Sequence, residues 1–397
     1  MRFPATITAN EMRNINRTAV LEVIRRSGPV ARSDIAHALN ISLPTVMRVM
    51  EELVAEELVR ETGESEWSGG RRRPLLALNA TRHLTLGLDL GGSAFYGAVA
   101  DLGGKVLYEK TLPLDGARGE AAYARAAALA VDLLAFARTT GRAVRGIGAG
   151  APGVTLHEEG IVRWAPGLDW RDFPLRERLR ADFDLPVIVE NDVNLAALGE
   201  MWFGAGQEAR NLVLISIGNG IGAGIVLDGV LFRGTNQTAG EIGYLLPGRE
   251  FLKQDYTDFG ALEYLAAGAG MARRAQKEAK GALPKAARKA LAAADVLEAS
   301  SRGEAWAAGI VEETLDYLAL AVASVSAFFD PEVVVLGGEL APAFDRPVER
   351  ILERVAGKVP AMPMLVASNL GRRAAVMGAV INLLHNTSDF YVVRKLS

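Results

Sequence analysis

The feature that most constrains this chain is a change of hydrophobic period near residue 80. Before it, apolar residues recur at helical spacing. After it, short alternating runs end in glycine turns, the pattern of strands. The chain therefore reads as two differently built parts. The second opens with LGLDLGGSAFYGAVADLGGKVL, Leu86 to Leu107, two apolar runs flanking Asp89-Leu90-Gly91-Gly92-Ser93. That pattern suits a hairpin whose turn could cradle phosphate. The 397 residues suffice for two to four domains at about 100–200 residues each.

In the first part, Ile15, Ala19, Val20, Val23 and Ile24 predict a helix over Asn14 to Ser27, stopped by Gly28-Pro29. A short helix follows from Ile35 to Leu39, then the turn Asn40-Ile41-Ser42. Ser42 suits an N-cap. A third helix is expected to carry Val46, Val49, Met50, Leu53 and Val54 on its inner face, with Ser42, Leu43, Thr45 and Arg48 outside near its start. This is the plan of a helix-turn-helix, whose second helix enters the major groove. Leu58 to Glu61, the segment Gly63 to Gly70, and Arg71-Arg72-Arg73-Pro74 before Leu75 to Leu78 read as a hairpin wing. Arg71, Arg72 and Arg73 suit phosphate or minor-groove contact. Three short helices can also be a structural or protein-docking module. Residues 1–78 hold 11 Lys/Arg against 10 Asp/Glu, so net charge does not decide. The glutamates cluster late, from Glu51 to Glu66, away from Arg13, Arg17, Arg25, Arg26, Arg32 and Arg48. DNA binding is the expected role.

The chain has no cysteine, and its four histidines are scattered. Disulfides, a thiolate nucleophile and a thiolate zinc site are excluded. No run approaches the ~20 apolar residues of a membrane helix, and the N-terminus lacks the apolar core of a signal peptide. A cytoplasmic protein with no membrane partner is expected.

Beyond residue 80, strands are predicted at Leu84–Leu88, Tyr96–Ala100, Val106–Glu109, Val144–Gly148, Val187–Glu190, Asn211–Ile217, Gly222–Leu227 and Val333–Leu336. Helices are predicted at Ala121–Thr139, Arg171–Asp182, Val193–Phe203, Met377–Leu384 and in a block from Leu262 towards Phe329. Three glycine turns follow strands: the one at Asp89, one through Gly218, Asn219 and Gly220, and one at Gly337 and Gly338. Each can bring backbone N–H groups to a phosphate, or be glycine for steric reasons alone. Asp89 could hold magnesium through water, or cap its turn. In ENDVNLAALGE, Glu190 to Glu200, Asn191-Asp192 falls between a strand and a helix. There a carboxylate can face the ligand crevice of an α/β domain. Asp192 could take a proton from a hydroxyl, although both residues are also common helix caps.

DLGGS, APGV, APGLDW, ENDVNLAALGE, SIGNGIGAGIV, AGEIGY, FGALE and VVLGGEL occur in an order that resembles the ROK family of repressors and sugar kinases, from about Asn14 to about Leu384. The helix-turn-helix with GGRRRPLLALN is similar to that of the family's transcription factors, of the xylose, N-acetylglucosamine or glucose type. The resemblance implies an α/β fold: a winged helix-turn-helix over 1–80, then a two-lobed, actin-like, ribonuclease H-like ATPase-type body. Its lobes are expected at 81–200 and 201–397, with the C-terminal segment returning to the first. Asn191 and Asp192 match the family's sugar-hydroxyl pair, and in the kinases the aspartate is also the base. Glu241 and Glu263 match two further hydroxyl binders.

Departures from the pattern are informative. Tyr244 stands where the family usually has a histidine that binds sugar and zinc. The usual cysteine-rich loop is replaced by LLPGREFLKQDYTDFG, where Phe251, Tyr256 and Phe259 could supply order by packing. Gly167 replaces a frequent asparagine. Asn219 stands where threonine is usual, which disfavours ATP without removing Asp89, Gly91, Gly92 and Ser93. The resemblance thus implies no zinc, no assured cofactor, and ATP with magnesium as a weak option.

The expected function is a sugar-responsive repressor of carbohydrate genes. Its partners would be double-stranded operator DNA and a monosaccharide or derivative, and its state a homodimer or higher oligomer. No catalytic residue is then expected. The alternatives are an ATP-dependent sugar kinase with an accessory head, where Asp192 would be the base, and a constitutive DNA-binding protein with a vestigial pocket.

Overall fold

A computed structural model describes residues 9–68, 71–256 and 259–385. The head comprises α1 (Ala9–Ser27), β1 (Val30–Ala31), α2 (Arg32–Leu39), α3 (Leu43–Ala55), β2 (Val59–Ser68) and β3 (Arg71–Leu78). Val46, Val49, Met50 and Leu53 are buried, as the helical period requires, whereas Val54 is 42% exposed and leaves the inner face. The wing is longer than expected. Its first strand runs through the glycine-bearing segment to Ser68, with a register irregularity between Glu61 and Ser65 around Gly63 at φ 80°, as a bulge demands. Gly69 and Gly70 lie outside the described residues.

The late glutamates are not separate from the early arginines. Packing α1 on α3 brings Arg13 to Glu52 and Arg17 to Glu56, each at 2.8 Å. Arg32 meets Glu61 at 2.9 Å. The acidic cluster thus neutralises cations that sequence distance had left to the DNA.

The next unit contains β4 (His83–Asp89), β5 (Ala94–Asp101), β6 (Val106–Pro113), α4 (Gly119–Thr139), β7 (Ala143–Ala151), β8 (Val154–Leu156), β9 (Ile161–Ala165), β10 (Trp170–Phe173), α5 (Leu175–Phe183), β11 (Val187–Asn191) and α6 (Asp192–Phe203). Its main sheet has order β11-β7-β4-β5-β6. The β4–β5–β6 strands are antiparallel, and β7 and β11 join in parallel. The helix expected over Arg171–Asp182 begins only at Leu175. Arg171 and Phe173 instead pair with Trp164 and Val162 of β9, because Pro174 ends the strand and fixes the helix start. β8, β9 and β10 form a small separate sheet.

The last unit has β12 (Leu212–Ile217), β13 (Ile221–Leu227), β14 (Val230–Leu231), α7 (Ala261–Ala266), α8 (Gly268–Glu278), α9 (Lys285–Ala290), α10 (Ala293–Ser301), α11 (Ala305–Phe329), β15 (Val333–Gly337), α12 (Pro347–Val355), β16 (Met364–Ala367) and α13 (Arg373–His385). Its sheet order is β14-β13-β12-β15-β16. β13 is antiparallel to β12, while β15 and β16 add in parallel. The two sheets thus repeat one plan: a hairpin, then parallel strands. The last helix, α13, lies back on the first sheet. Small residues allow this close approach: a Cβ on Gly87 would stand 2.5 Å from Val376, and one on Gly148 2.5 Å from Ala379.

One apolar cluster runs from the head into the body. It joins Leu21, Ile24, Leu53, Leu58 and Val59 to Leu102, Leu198 and Trp202. At its rim, Glu56 also meets Arg145 at 3.1 Å and Glu57 meets Arg82 at 2.8 Å. No described helix is long and apolar enough to cross a membrane.

Candidate functional site

The ENDVNLAALGE segment becomes the end of β11 and the whole of α6 except its last turn. Asn191 is the N-cap: its Oδ1 accepts from Asn194 N at 3.0 Å. Its Nδ2 donates to Gly153 O at 3.0 Å, tying it to the APGV turn. The capping reading and the ligand reading therefore coexist, since an amide keeps one N–H and one lone pair in hand. Asp192 starts the helix and accepts from Val193 N at 2.9 Å.

Asp89, at the end of β4, lies next to Asp192. A Cβ on Gly91 would stand 2.3 Å from Asp192 Oδ2 and 3.2 Å from Asp89 Oδ1, so only glycine admits this approach. Gly91 N donates to Asp89 Oδ1 at 3.0 Å. Burial and the Asp192 charge push Asp89 up to about 7, and burial raises Asp192 to about 6. The series continues in the second unit. Burial, then Asp192, raises Glu241, and burial, then Glu241, brings Glu263 to about 7. Four carboxylates from four segments thus form one electrostatically coupled series, Asp89 to Asp192 to Glu241 to Glu263. Such a lining suits a neutral polyol, whose hydroxyls donate to ionised oxygens.

The other expected residues fall around this cleft. Tyr244 ends a short 3-10 turn after Glu241 and is 41% exposed. Gly218 and Gly220 close a turn through a 2.9 Å bond. The carbonyls of Gly218 and Asn219 accept from Gly268 N and Ala269 N at the start of α8. A Cβ on Gly220 would meet Glu263 Oε1 at 2.4 Å. Gly338, at φ 89°, abuts the backbone of Ile217 at 2.5 Å from its notional Cβ, so sterics alone require glycine there. A Cβ on Gly92 (φ 76°) would be 3.3 Å from Glu339, and the Ser93 carbonyl accepts from Leu114 N at 3.1 Å, extending the β5–β6 ladder beyond Ala94 and Pro113. Gly337 ends β15. No group of three His, Asp or Glu side chains able to hold a metal occurs among the described residues. In the loop that replaces the cysteines, Phe259 is 45% exposed and does not supply the expected packing. Phe251 and Tyr256 are half-buried, and Thr257 and Asp258 lie outside the described residues.

Sequence reasoning missed the residues that hold Asn191 and Asp192 in place. Glu190 is fully buried and accepts from Asn191 N, Asn194 Nδ2 and Arg233 Nε. His157 Nδ1 stands 3.2 Å away. Burial pushes the Glu190 carboxyl up, but Arg233, His157 and these hydrogen bonds outweigh it and hold it below its usual value. Glu190 was visible in the motif. Arg233 and His157 are 43 and 33 positions from it and gave no local signal.

In the head, Ser42 caps α3 by accepting from Thr45 N at 3.2 Å, and its hydroxyl meets the Thr45 hydroxyl at 2.8 Å. Leu43, Met47 and Arg48 are exposed on the same end. Arg72 stays exposed and donates to Ser65. Arg73 departs from the expectation: it bonds Asp34 at 2.6 Å and Glu66 at 2.9 Å, so it ties the wing to α2. The side chain of Arg71 lies outside the described residues.

The head touches the helix that carries Asp192. Arg25 and Arg26 of α1 sit 4.8 and 5.4 Å from the centre of the Trp202 ring, and Arg25 is 5.5 Å from that of Phe203. Both arginines also pair with buried Glu22. α6 thus presents Asp192 at one end and Trp202 and Phe203 to the head at the other.

Both parts of the chain are similar to known proteins. The model described as the ROK family matches residues 85–386, and one described as winged helix-turn-helix DNA-binding matches residues 13–60. The chain is similar to the xylose repressor of Caldicellulosiruptor bescii, at 27% identity over 96% of this chain and 98% of that one. It is 34% identical to the glucokinase of Halalkalibacterium halodurans over 74% of this chain and 92% of the enzyme. A crystal structure of a ROK family transcriptional regulator, a homolog of the E. coli MLC protein, superposes with a TM-score of 0.80 at 25% identity. It covers 94% of this chain and 97% of that one. The chain belongs to the ROK family and joins its sugar-kinase-like fold to an N-terminal winged helix-turn-helix.

Proposed function

We propose that this protein is a sugar-responsive transcriptional repressor whose sugar site and DNA head are coupled through α6. The head over 1–80 would hold operator DNA, with Ser42, Leu43, Thr45 and Arg48 at the major groove and Arg71 and Arg72 on the wing. The body would hold a sugar between its lobes, 81–200 and 201–397, on Asn191, Asp192, Glu241 and Glu263, with Tyr244 at the rim. The observation that carries the reading is α6 itself, with Asp192 at its start and Trp202 under Arg25 and Arg26 at its end. A 12-residue helix is a rigid rod of about 18 Å. Sugar that favours one setting of Asp192 therefore favours one setting of the head. Such a switch requires the sugar to bind one state better than the other. A homodimer on a two-fold operator fits this plan.

The test is fluorescence anisotropy of the protein on its own upstream DNA, repeated with monosaccharides. Tight binding released by one sugar supports a repressor with that inducer. Tighter binding with sugar makes the sugar a corepressor. No binding to DNA in any condition overturns the proposal. Asp192→Ala is expected to bind DNA and to lose the sugar response.

A sugar kinase is the second reading, favoured by one observation. Asp192 sits near a pKa of about 6, which suits a general base near neutral pH. Asn219 in the second glycine turn counts against it. ATP turnover measured with the same sugars separates the two readings. We infer no catalytic role and no zinc.

A further inference from the structure

Beside the carboxylate cleft lies a chamber of about 780 Å³, lined by β8 to β10 and residues 235–238. It is distinct from the space beside Asn191 and Glu241, which line a far smaller recess of about 20 Å³. One residue, Gln237, lines both. Gln237 holds a left-handed φ of 58°, a conformation that a non-glycine residue keeps only where its surroundings over-determine it. Its Oε1 is buried and has no hydrogen-bond partner among the described residues. An orphaned buried acceptor costs free energy unless a ligand donor meets it.

The chamber wall carries the half-buried ring of Trp164, with the Arg171 guanidinium over one face at 4.2 Å from the ring centre. Arg163, Arg171, Glu158, Glu159 and Asp172 also line it. Mixed charges of this kind give a polyol many partners and give a phosphate no net attraction. The volume belongs to the range of pockets for ligands well above one small ring, about 300–1,000 Å³.

We propose that the chamber is a second glycosyl subsite, so that the preferred effector is a disaccharide, one ring at Asp192 and the next on Trp164, with Gln237 bonding across the linkage. The inference rests on the reading of the Asp192 cleft as a sugar site. The face of Trp164 that Arg171 does not cover would take the C–H groups of the outer ring, while Gln237 Oε1 accepts a hydroxyl proton near the glycosidic oxygen.

The experiment is titration calorimetry of the full chain with xylose against xylobiose and glucose against cellobiose, on the parent, Trp164→Ala, Gln237→Ala and Asp192→Ala. At least one disaccharide is expected to bind roughly tenfold tighter than its monosaccharide, the scale of one aromatic contact. Trp164→Ala should erase that gain and leave monosaccharide affinity unchanged; Gln237→Ala should erase it and also weaken the monosaccharide, because Gln237 lines both spaces, while Asp192→Ala should weaken both sugars. Equal affinity for the two sizes, or a gain that survives in Trp164→Ala and Gln237→Ala, overturns the subsite and leaves the Asp192 reading standing. Failure of every sugar to bind the parent overturns both. Circular dichroism melting of each variant separates lost binding from lost folding.

Discussion

Asp192→Asn tests the electrostatics of the cleft through stability alone. In the folded chain burial raises Asp192 from 3.8 to about 6, and its charge raises Asp89 and Glu241 in turn. A carboxyl with a raised folded pKa contributes stability that is complete below its unfolded value, near 4, and is lost as pH rises through about 6. Two pKa units correspond to about 3 kcal/mol. Asparagine imitates the protonated form, retains an acceptor for Val193 N, and removes the charge facing Asp89. The variant is therefore expected to be more stable than the parent by up to about 3 kcal/mol at pH 8, and by nothing at pH 4. Urea unfolding at pH 4, 6 and 8 reads this directly. In a chain of this size the gain at pH 8 should appear as a Tm rise of several degrees. A variant less stable than the parent at pH 8, or one with the same gain at pH 4, would refute the reasoning. Lost sugar response in the same variant would show stability and function opposed at one residue, as active clefts often have them.

Three other outcomes follow from the same geometry. If sugar hydroxyls donate to the carboxylates, binding should tighten from pH 5 to pH 8 and release protons, read by calorimetry in buffers of different ionisation enthalpy; tighter binding at pH 5 would contradict the donor assignment. Arg233→Ala leaves Glu190 buried and short of its main counter-charge, and is expected to cost about 3–5 kcal/mol in thermal or urea unfolding; a cost under about 1 kcal/mol would remove Arg233 as the support of Asn191. Arg26→Met keeps the apolar stem over Trp202 while Glu22 keeps Arg25, so DNA affinity and sugar affinity should each persist while sugar-driven release weakens, and an unchanged release curve would take this contact out of the coupling.

What the sequence made legible was local. The period of Val46, Val49, Met50 and Leu53 placed the inner face of α3, and Ser42 was a cap because three-residue spacing alone decides that bond. DLGGS and the run from Glu190 to Glu200 marked strand ends and a helix start for the same reason. Val54 failed because the end of a helix can turn out of the core, which its period does not record. Arg171 to Phe173 failed because pairing with Trp164 and Val162 of β9 overrode helical composition.

The sequence by itself determined the class of each segment, the order of the two parts and the residue types that could meet a polyol, since these depend on spacing along the chain. Only the tertiary structure decided which charges meet. It joined Arg13, Arg17 and Arg32 to glutamates 29 to 39 positions away, placed Asp89 against Asp192 across Gly91, and set Arg233 on Glu190. It also laid Arg25 and Arg26 on the far end of the helix that Asp192 begins. The physical reason is the range of the forces. Caps and periodic faces are fixed within a few residues, whereas ion pairs and buried carboxylates answer to distance in space and to the dielectric around them.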